Sequence, residues 1–186
     1  MRPTRRTVGL WGLSLAISLV LSPRRAGAQD LFGRDAQFRR MLGRDVNEPE
    51  PIGLYRPARR SGKMLYLSTT VARRGGVPLY RGLVGRDLTL AEAQEAARIT
   101  ALAVLETVYA ELGGSLMQIR QLVNMTGYVA SAEGFFEQAQ VMDGASAVMI
   151  DVLGEEAGTA SRSAIGVRGL SRNAAVAIAA ILELEP

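Results

Sequence analysis

The residue with the most chemistry to offer in this sequence is Arg162, set among small neighbours in Ser161–Val167 (SRSAIGV). A guanidinium presents a planar fork of N–H donors that matches a carboxylate. On an extended strand Arg162, Ala164, Gly166 and Arg168 share one side, so Ala164 and Gly166 leave room beside the fork for a small ligand. The same pattern suits an arginine paired with an acid from a neighbouring subunit, and the residues alone leave both readings open. Much of conventional catalysis is excluded, because the chain has no histidine and no cysteine. Disulfides, thiolate nucleophiles, Cys/His zinc sites and triads with an imidazole base all fall away. No metal and no cofactor are expected.

The elements that must position Arg162 follow from periodicity. Ser161 to Leu184 reads as two paired strands, and the second is apolar on both sides: Val176, Ile178, Ala180, Leu182 and Leu184 alternate with Ala175, Ala177, Ala179 and Ile181. Such a strand needs cover on both faces. Helices of the same chain provide one cover, and a second subunit is the expected source of the other. Upstream, Lys63–Thr70 reads as a strand, Arg73–Gly76 as a turn and Val77–Arg81 as a second strand closing a hairpin. Thr89 and Glu92 form a capping-box pattern that opens a helix running to about Leu112, where Gly113-Gly114 supplies a stop. Ile119–Ala130 reads as a strand and Asp143–Leu153 as a second helix, giving the order β β α β α β β. The class is therefore α+β, with a mixed sheet of about five to six strands packed on two helices.

The first 28 residues have a basic start, an apolar run from Val8 to Leu21 and an Ala26-Gly27-Ala28 ending, the organisation of a cleaved export signal. The run is short for a membrane span, so no stable anchor is expected once the signal is removed near Ala28. Arg5-Arg6 and the following Thr7-Val8-Gly9-Leu10 resemble a bacterial twin-arginine signal, which implies a periplasmic destination. The chain carries 22 basic and 18 acidic residues, a formal charge of +4. Five of those basic residues and none of the acids lie in residues 1–28, leaving 17 against 18 and a mature balance of −1. The basic footprint of a nucleic-acid-binding domain is missing, and no nucleic-acid partner is expected. Residues 29–50, polar and arginine-rich, read as an arm or linker whose helix potential lacks an anchor; residues 51–186 read as the domain.

Several strings carry a resemblance: PIGLY at Pro51–Tyr55, LYLS at Leu65–Ser68, VNMTGYVAS at Val123–Ser131, VMDGAS at Val141–Ser146, and SRSAIGV at Ser161–Val167. Together with the element order they resemble the RidA/YjgF family of reactive-intermediate deaminase-like proteins, formerly called endoribonuclease L-PSP-like. The resemblance implies a chorismate-mutase-like fold, a homotrimer, and ligand sites between subunits. It implies that Arg162 holds a substrate carboxylate, that Tyr55 and Ser68 belong to the site, and that Ala164, Thr69 and Tyr128 line it. In hydrolytic members water releases ammonia from an imine or enamine.

The departures are as specific as the matches. Where hydrolytic members carry glutamates on the last strand, this chain has Ala177 and Ala179; their cysteine becomes Ala164, the glycine after the first-strand serine becomes Thr69, and an asparagine becomes Asp143. An alanine neither accepts nor delivers a proton, and loss of general acid/base help costs a factor of about 10² to 10⁴. Asp143 is the one candidate catalytic carboxylate, with helix N-capping as its competing role. The expectation is a periplasmic trimer that binds a small carboxylate-bearing metabolite with weak or no catalysis. An imine/enamine deaminase is the alternative, and an endoribonuclease a distant third.

Overall fold

The computed structural model of the chain describes residues 28–46, 51 and 53–186; the expected export signal up to Gly27 lies outside them. The elements are α1 (Ala28–Leu42), β1 (Ala58–Ser61), β2 (Met64–Thr70), β3 (Arg73–Arg74), β4 (Val77–Pro78), α2 (Leu90–Glu111), β5 (Ile119–Ala130), α3 (Gln138–Leu153), α4 (Glu155–Gly158), β6 (Ser161–Val167) and β7 (Val176–Leu184). One five-stranded sheet has the order β1-β2-β7-β5-β6, and β3 and β4 form a separate two-stranded ribbon. This is the expected α+β class with a mixed sheet on helices.

β7 is apolar on both faces because it is the central strand. It pairs antiparallel with β2 on one side and with β5 on the other. On the core face Leu182 lies between Leu65 and Leu122, and Ala180 lies between Leu67 and Met125. All six are buried. Tyr66, Ile181 and Asn124 share a row of the opposite face, as do Ala177, Tyr128 and Ile165. Tyr66 and Ile165 remain 45% and 43% exposed there, so the second face of the sheet is only partly covered within one chain.

Two expected pairings are corrected. β6 and β7 are not neighbours: β5 lies between them, parallel to β6 and antiparallel to β7. A parallel pair needs a crossover, and α3 provides it, which places α3 across β5 and β6. The hairpin partner of β2 is β1 rather than Val77–Arg81. β1 reads ARRS and shows no apolar alternation, whereas Val77–Pro78 folds back onto Arg73–Arg74 around Gly75 and Gly76, both at positive φ.

The expected capping box is present in full: Thr89 Oγ1 accepts from the Glu92 N–H at 3.2 Å, and Glu92 Oε2 accepts from the Thr89 N–H at 2.8 Å. Gly113 and Gly114, at φ 73° and 95°, follow the end of α2. α1 is a correction to the loose arm. It is a helix fixed to the domain by Phe38, fully buried against Tyr109 with ring centroids 5.5 Å apart. Arg34 donates to the Ile119 carbonyl at 2.7 Å, and Asp35 accepts from the Leu116 N–H at 2.7 Å and from Ser115 Oγ at 2.8 Å. Just beyond α1, Arg44 grips the Glu106 carboxylate with two bonds of 2.8 Å. The anchors, one aromatic and the rest polar, reach residues far along the chain and are invisible to a local reading of periodicity.

Candidate functional site

Two glycines bring α3 close enough to β6 to form a site. A Cβ at Gly127 on β5 would lie 2.2 Å from Met142 Sδ, and one at Gly166 on β6 would lie 2.8 Å from Gln138 Nε2. Both neighbours are side chains of α3, so the absence of a Cβ at these two glycines lets Met142 and Gln138 lie directly on the sheet, and a larger residue would require those side chains to move. Ala139, Asp143 and Ser146 follow one another at spacings of four and three, so they share one flank of α3. Arg162 points to the helix side of the sheet, beside Met125 in the register, and meets that flank.

The resulting cluster is specific. Arg162 Nη1 donates to Asp143 Oδ1 at 2.9 Å and to Ser146 Oγ at 2.8 Å, and Nη2 donates to the Ala139 carbonyl at 3.2 Å. Three of the five guanidinium N–H groups are thereby used. Among the described residues, Nε–H and one Nη2–H have no partner. The Arg162 side chain is 24% exposed and that of Asp143 62%, so the arginine is the more buried member of the pair. The arginine thus has an acidic partner within its own chain, whereas one of the two readings left open by the sequence looked for that partner in a neighbour. Ala164, half-buried, lies next along β6 on the same side.

Asp143 is not a helix cap. α3 starts at Gln138, so Asp143 sits in the second turn, where its side chain reaches Arg162 instead of a terminal N–H. Ser146 and the Ala139 carbonyl were missed by the sequence reading. Starting the helix five residues earlier would have placed all three on one flank.

The remaining candidates lie elsewhere in the chain. Ser68, near the end of β2, donates its hydroxyl to the Arg56 carbonyl at 2.8 Å; Thr69 beside it is exposed, and Tyr55 precedes β1 with 42% exposure. These three are separated from β6 by β7 and β5. Tyr128 is half-buried on the sheet face opposite Arg162, paired with Ala177 on one side and Ile165 on the other. A single chain therefore does not gather Arg162, Tyr55, Ser68 and Tyr128 into one pocket. Ala177 is 1% exposed and Ala179 half-buried, and neither position carries a carboxylate.

Outside this cluster, a cleft of about 300 Å³ at the β1 edge is lined by Arg56, Pro57, Ala58, Arg59, Arg60 and Glu111. Among the described residues no group of three or more acidic side chains could hold a metal ion, and no helix is long and apolar enough to cross a membrane.

A mixed sheet with two long helices on one face and an arginine at its parallel edge defines the class of protein. Residues 40–182 match the family model described as "YjgF/chorismate_mutase-like, putative endoribonuclease", and the chain belongs to that family. A Trypanosoma cruzi protein, TCP17, is 37% identical over 124 residues, covering 67% of this chain and 77% of that one. The crystal structure of an Agrobacterium tumefaciens protein of unknown function superposes with a TM-score of 0.74 at 37% identity, covering 85% of this chain and 96% of its own. More distantly, Escherichia coli TdcF, solved with bound serine, shares the fold at 18% identity and a TM-score of 0.50, over 75% of this chain and 95% of its own.

Proposed function

We propose that the chain is an exported, trimeric member of the family that binds a small carboxylate-bearing metabolite at Arg162, in a pocket between subunits, with little or no hydrolysis. The observation that carries the binding half is the state of the guanidinium. Its Nη1 edge is held by α3, while Nε–H and one Nη2–H remain for a ligand. Two adjacent donors of one guanidinium suit a bidentate carboxylate. A fork held beforehand loses less side-chain freedom on binding.

The distribution of the other family-site positions supports an intersubunit pocket. Tyr55, Ser68 and Thr69 lie toward one edge of the sheet and Arg162 and Ala164 at the other, so a second copy is needed to bring the two sets together. The partly covered sheet face with Tyr66, Ile165 and Ile181 gives a trimer apolar surface to bury. Export rests on the character of residues 1–28.

Catalysis is argued against by Ala177 and Ala179. The alternative reading, an imine/enamine deaminase, is favoured by one observation: Asp143 is a mostly exposed carboxylate 2.9 Å from Arg162. Freshly generated 2-iminobutanoate offered to the purified mature protein separates the two. Release of 2-oxobutanoate at the uncatalysed rate is expected; turnover that disappears in Arg162→Ala would establish the deaminase and overturn the binding reading. By calorimetry, Arg162→Ala is expected to weaken 2-oxobutanoate binding by roughly 2 to 5 kcal/mol, the range for truncating one partner of a buried charge pair. Unchanged affinity refutes the assignment of Arg162. Cleavage of RNA by the same preparation, lost in the same variant, would point instead to the ribonuclease reading.

A further inference from the structure

We infer that Asp143 is a charge filter at the mouth of the Arg162 site: it admits acids with a single negative charge and disfavours those with a second. The inference rests on the reading of Arg162 as a carboxylate site, and it concerns which carboxylates that site accepts.

The geometry gives Asp143 two oxygens with different situations. Oδ1 is bound to Arg162 Nη1 at 2.9 Å, and Oδ2 has no hydrogen-bond partner among the described residues. The bound oxygen cancels the charge of the arginine, so the site is neutral before a ligand arrives. The cluster's hydrogen bonds run to a hydroxyl and a carbonyl besides Asp143, and none comes from a second cation. A monocarboxylate on the free Nε/Nη2 edge therefore leaves the cluster at −1. A dicarboxylate leaves it at −2, with no further positive group bonded into the cluster to offset the extra charge.

Position turns this into selectivity. The arginine is 24% exposed and the aspartate 62%. A ligand held on the Nε/Nη2 edge shares the guanidinium with Asp143, whose bound oxygen is 2.9 Å from Nη1, so a second charge on that ligand meets the aspartate at short range. Two like charges about 6 Å apart at so exposed a position, where the effective dielectric approaches that of water, repel enough to shift a binding ratio by roughly three- to tenfold at low ionic strength. Asp143 is thus a specificity residue that acts on the part of the ligand distal to Arg162. The helix fixes it there: Asp143 lies in the second turn of α3, and the close approach of α3 through Gly127 and Gly166 sets its distance from the arginine.

The test measures affinities of 2-oxobutanoate, a monoanion, and 2-oxoglutarate, a dianion, by calorimetry at low salt on the mature protein and three variants. Wild type is expected to favour 2-oxobutanoate. Asp143→Asn should improve 2-oxoglutarate binding roughly three- to tenfold more than 2-oxobutanoate binding, and Asp143→Glu, which keeps the charge, should restore the wild-type ratio. Raising the salt to about 0.5 M should shrink the wild-type preference for 2-oxobutanoate. An unchanged ratio in Asp143→Asn, with both acids lost in Arg162→Ala, overturns the filter and leaves the carboxylate site standing. Binding of both acids to Arg162→Ala as to wild type, or no saturable binding of either acid to wild type, overturns the site itself. Far-ultraviolet circular dichroism and the thermal midpoint of each variant identify a loss that comes from misfolding.

Discussion

Replacing Gly144 with alanine sets helix propensity against packing, and the structure says which prevails. Gly144 lies within α3, where alanine is intrinsically better than glycine by about 1 kcal/mol. On that ground alone the variant should be more stable. A Cβ at this position, however, would lie 2.2 Å from the Gln94 carbonyl oxygen of α2, 3.0 Å from its carbon and 3.3 Å from the Gln94 Cα. These are backbone atoms of a 22-residue helix and have no rotamer in which to retreat. Ordinary contact needs about 3.4 Å or more, so α2 and α3 must part by roughly 1 Å or slide. Either movement loosens Ala93 and Ala97 of α2 against Val141, Ala145 and Val148 of α3, all buried. Overpacking of this kind costs about 1–3 kcal/mol before relaxation, with the upper part of that range appropriate to a backbone obstacle. Net destabilisation of about 1–2 kcal/mol follows, read as a lower urea midpoint at unchanged slope. Because Asp143 and Ser146 flank the position, the same displacement should weaken carboxylate binding at Arg162. A variant as stable as wild type or more so would refute the reasoning, since propensity would then have outweighed contact.

The remaining predictions test other parts of the fold. Phe38→Ala removes a fully buried ring from α1 and should cost about 3–5 kcal/mol by urea denaturation; a loss under 1 kcal/mol would mean that the helix is not held as described. Thr89→Ala removes half of the capping box and should cost about 1 kcal/mol, with no change showing that the cap contributes nothing. Hydrogen bonds from the Thr89 N–H, and secondarily its hydroxyl, hold Glu92 below the usual carboxylate range, while the Arg86 guanidinium and then the Leu83 N–H hold Asp87 down at about 2. Both folded values are depressed, so their stabilisation is complete above the unfolded carboxylate range and is lost as pH falls through the folded values. The thermal midpoint should therefore drop below about pH 4 and continue dropping toward pH 2, more shallowly in Glu92→Gln; identical acid limbs in the two proteins would contradict this. Light scattering of the mature protein should give the mass of three chains, and a monomeric mass would remove the basis for an intersubunit pocket.

What was legible in the sequence was local or periodic. β2, α2, β5 and β7 announce themselves by alternation, by the Thr89/Glu92 box and by the Gly113-Gly114 stop, and the central place of β7 in the sheet is written in its two apolar faces. What was not legible depends on partners far away in the chain. The adjacency of β6 to β5 rather than β7 follows from the crossover through α3, and the closeness of β6 and β7 in sequence pointed the wrong way. β1 is an arginine-rich edge strand with no periodicity to read, and α1 is fixed by bonds spanning as many as 85 residues. At the site, Arg162 stood out by its small neighbours, whereas Asp143 looked like a cap because the helix was started too late. Ser146 is an ordinary helix residue until the register of α3 on β6 is known.

That register also bears on why this chain lacks acids at the last-strand positions. Ala177 is 1% exposed, lodged beside Tyr128, and Ala179 lies beside Thr126. A glutamate at position 177 would need Tyr128 or its surroundings to yield, and an ionised carboxylate in so closed a place would lack the partners that make such burial tolerable. The alanines are thus matched to their neighbours, and a single alanine-to-glutamate change does not amount to restoring a catalytic acid. On the other side of the sheet Asp143 meets Arg162 from α3, and its second oxygen has no hydrogen-bond partner among the described residues. Under the proposed reading, selecting ligands by charge asks of Asp143 only its place beside Arg162, whereas hydrolysis would ask for proton transfer as well.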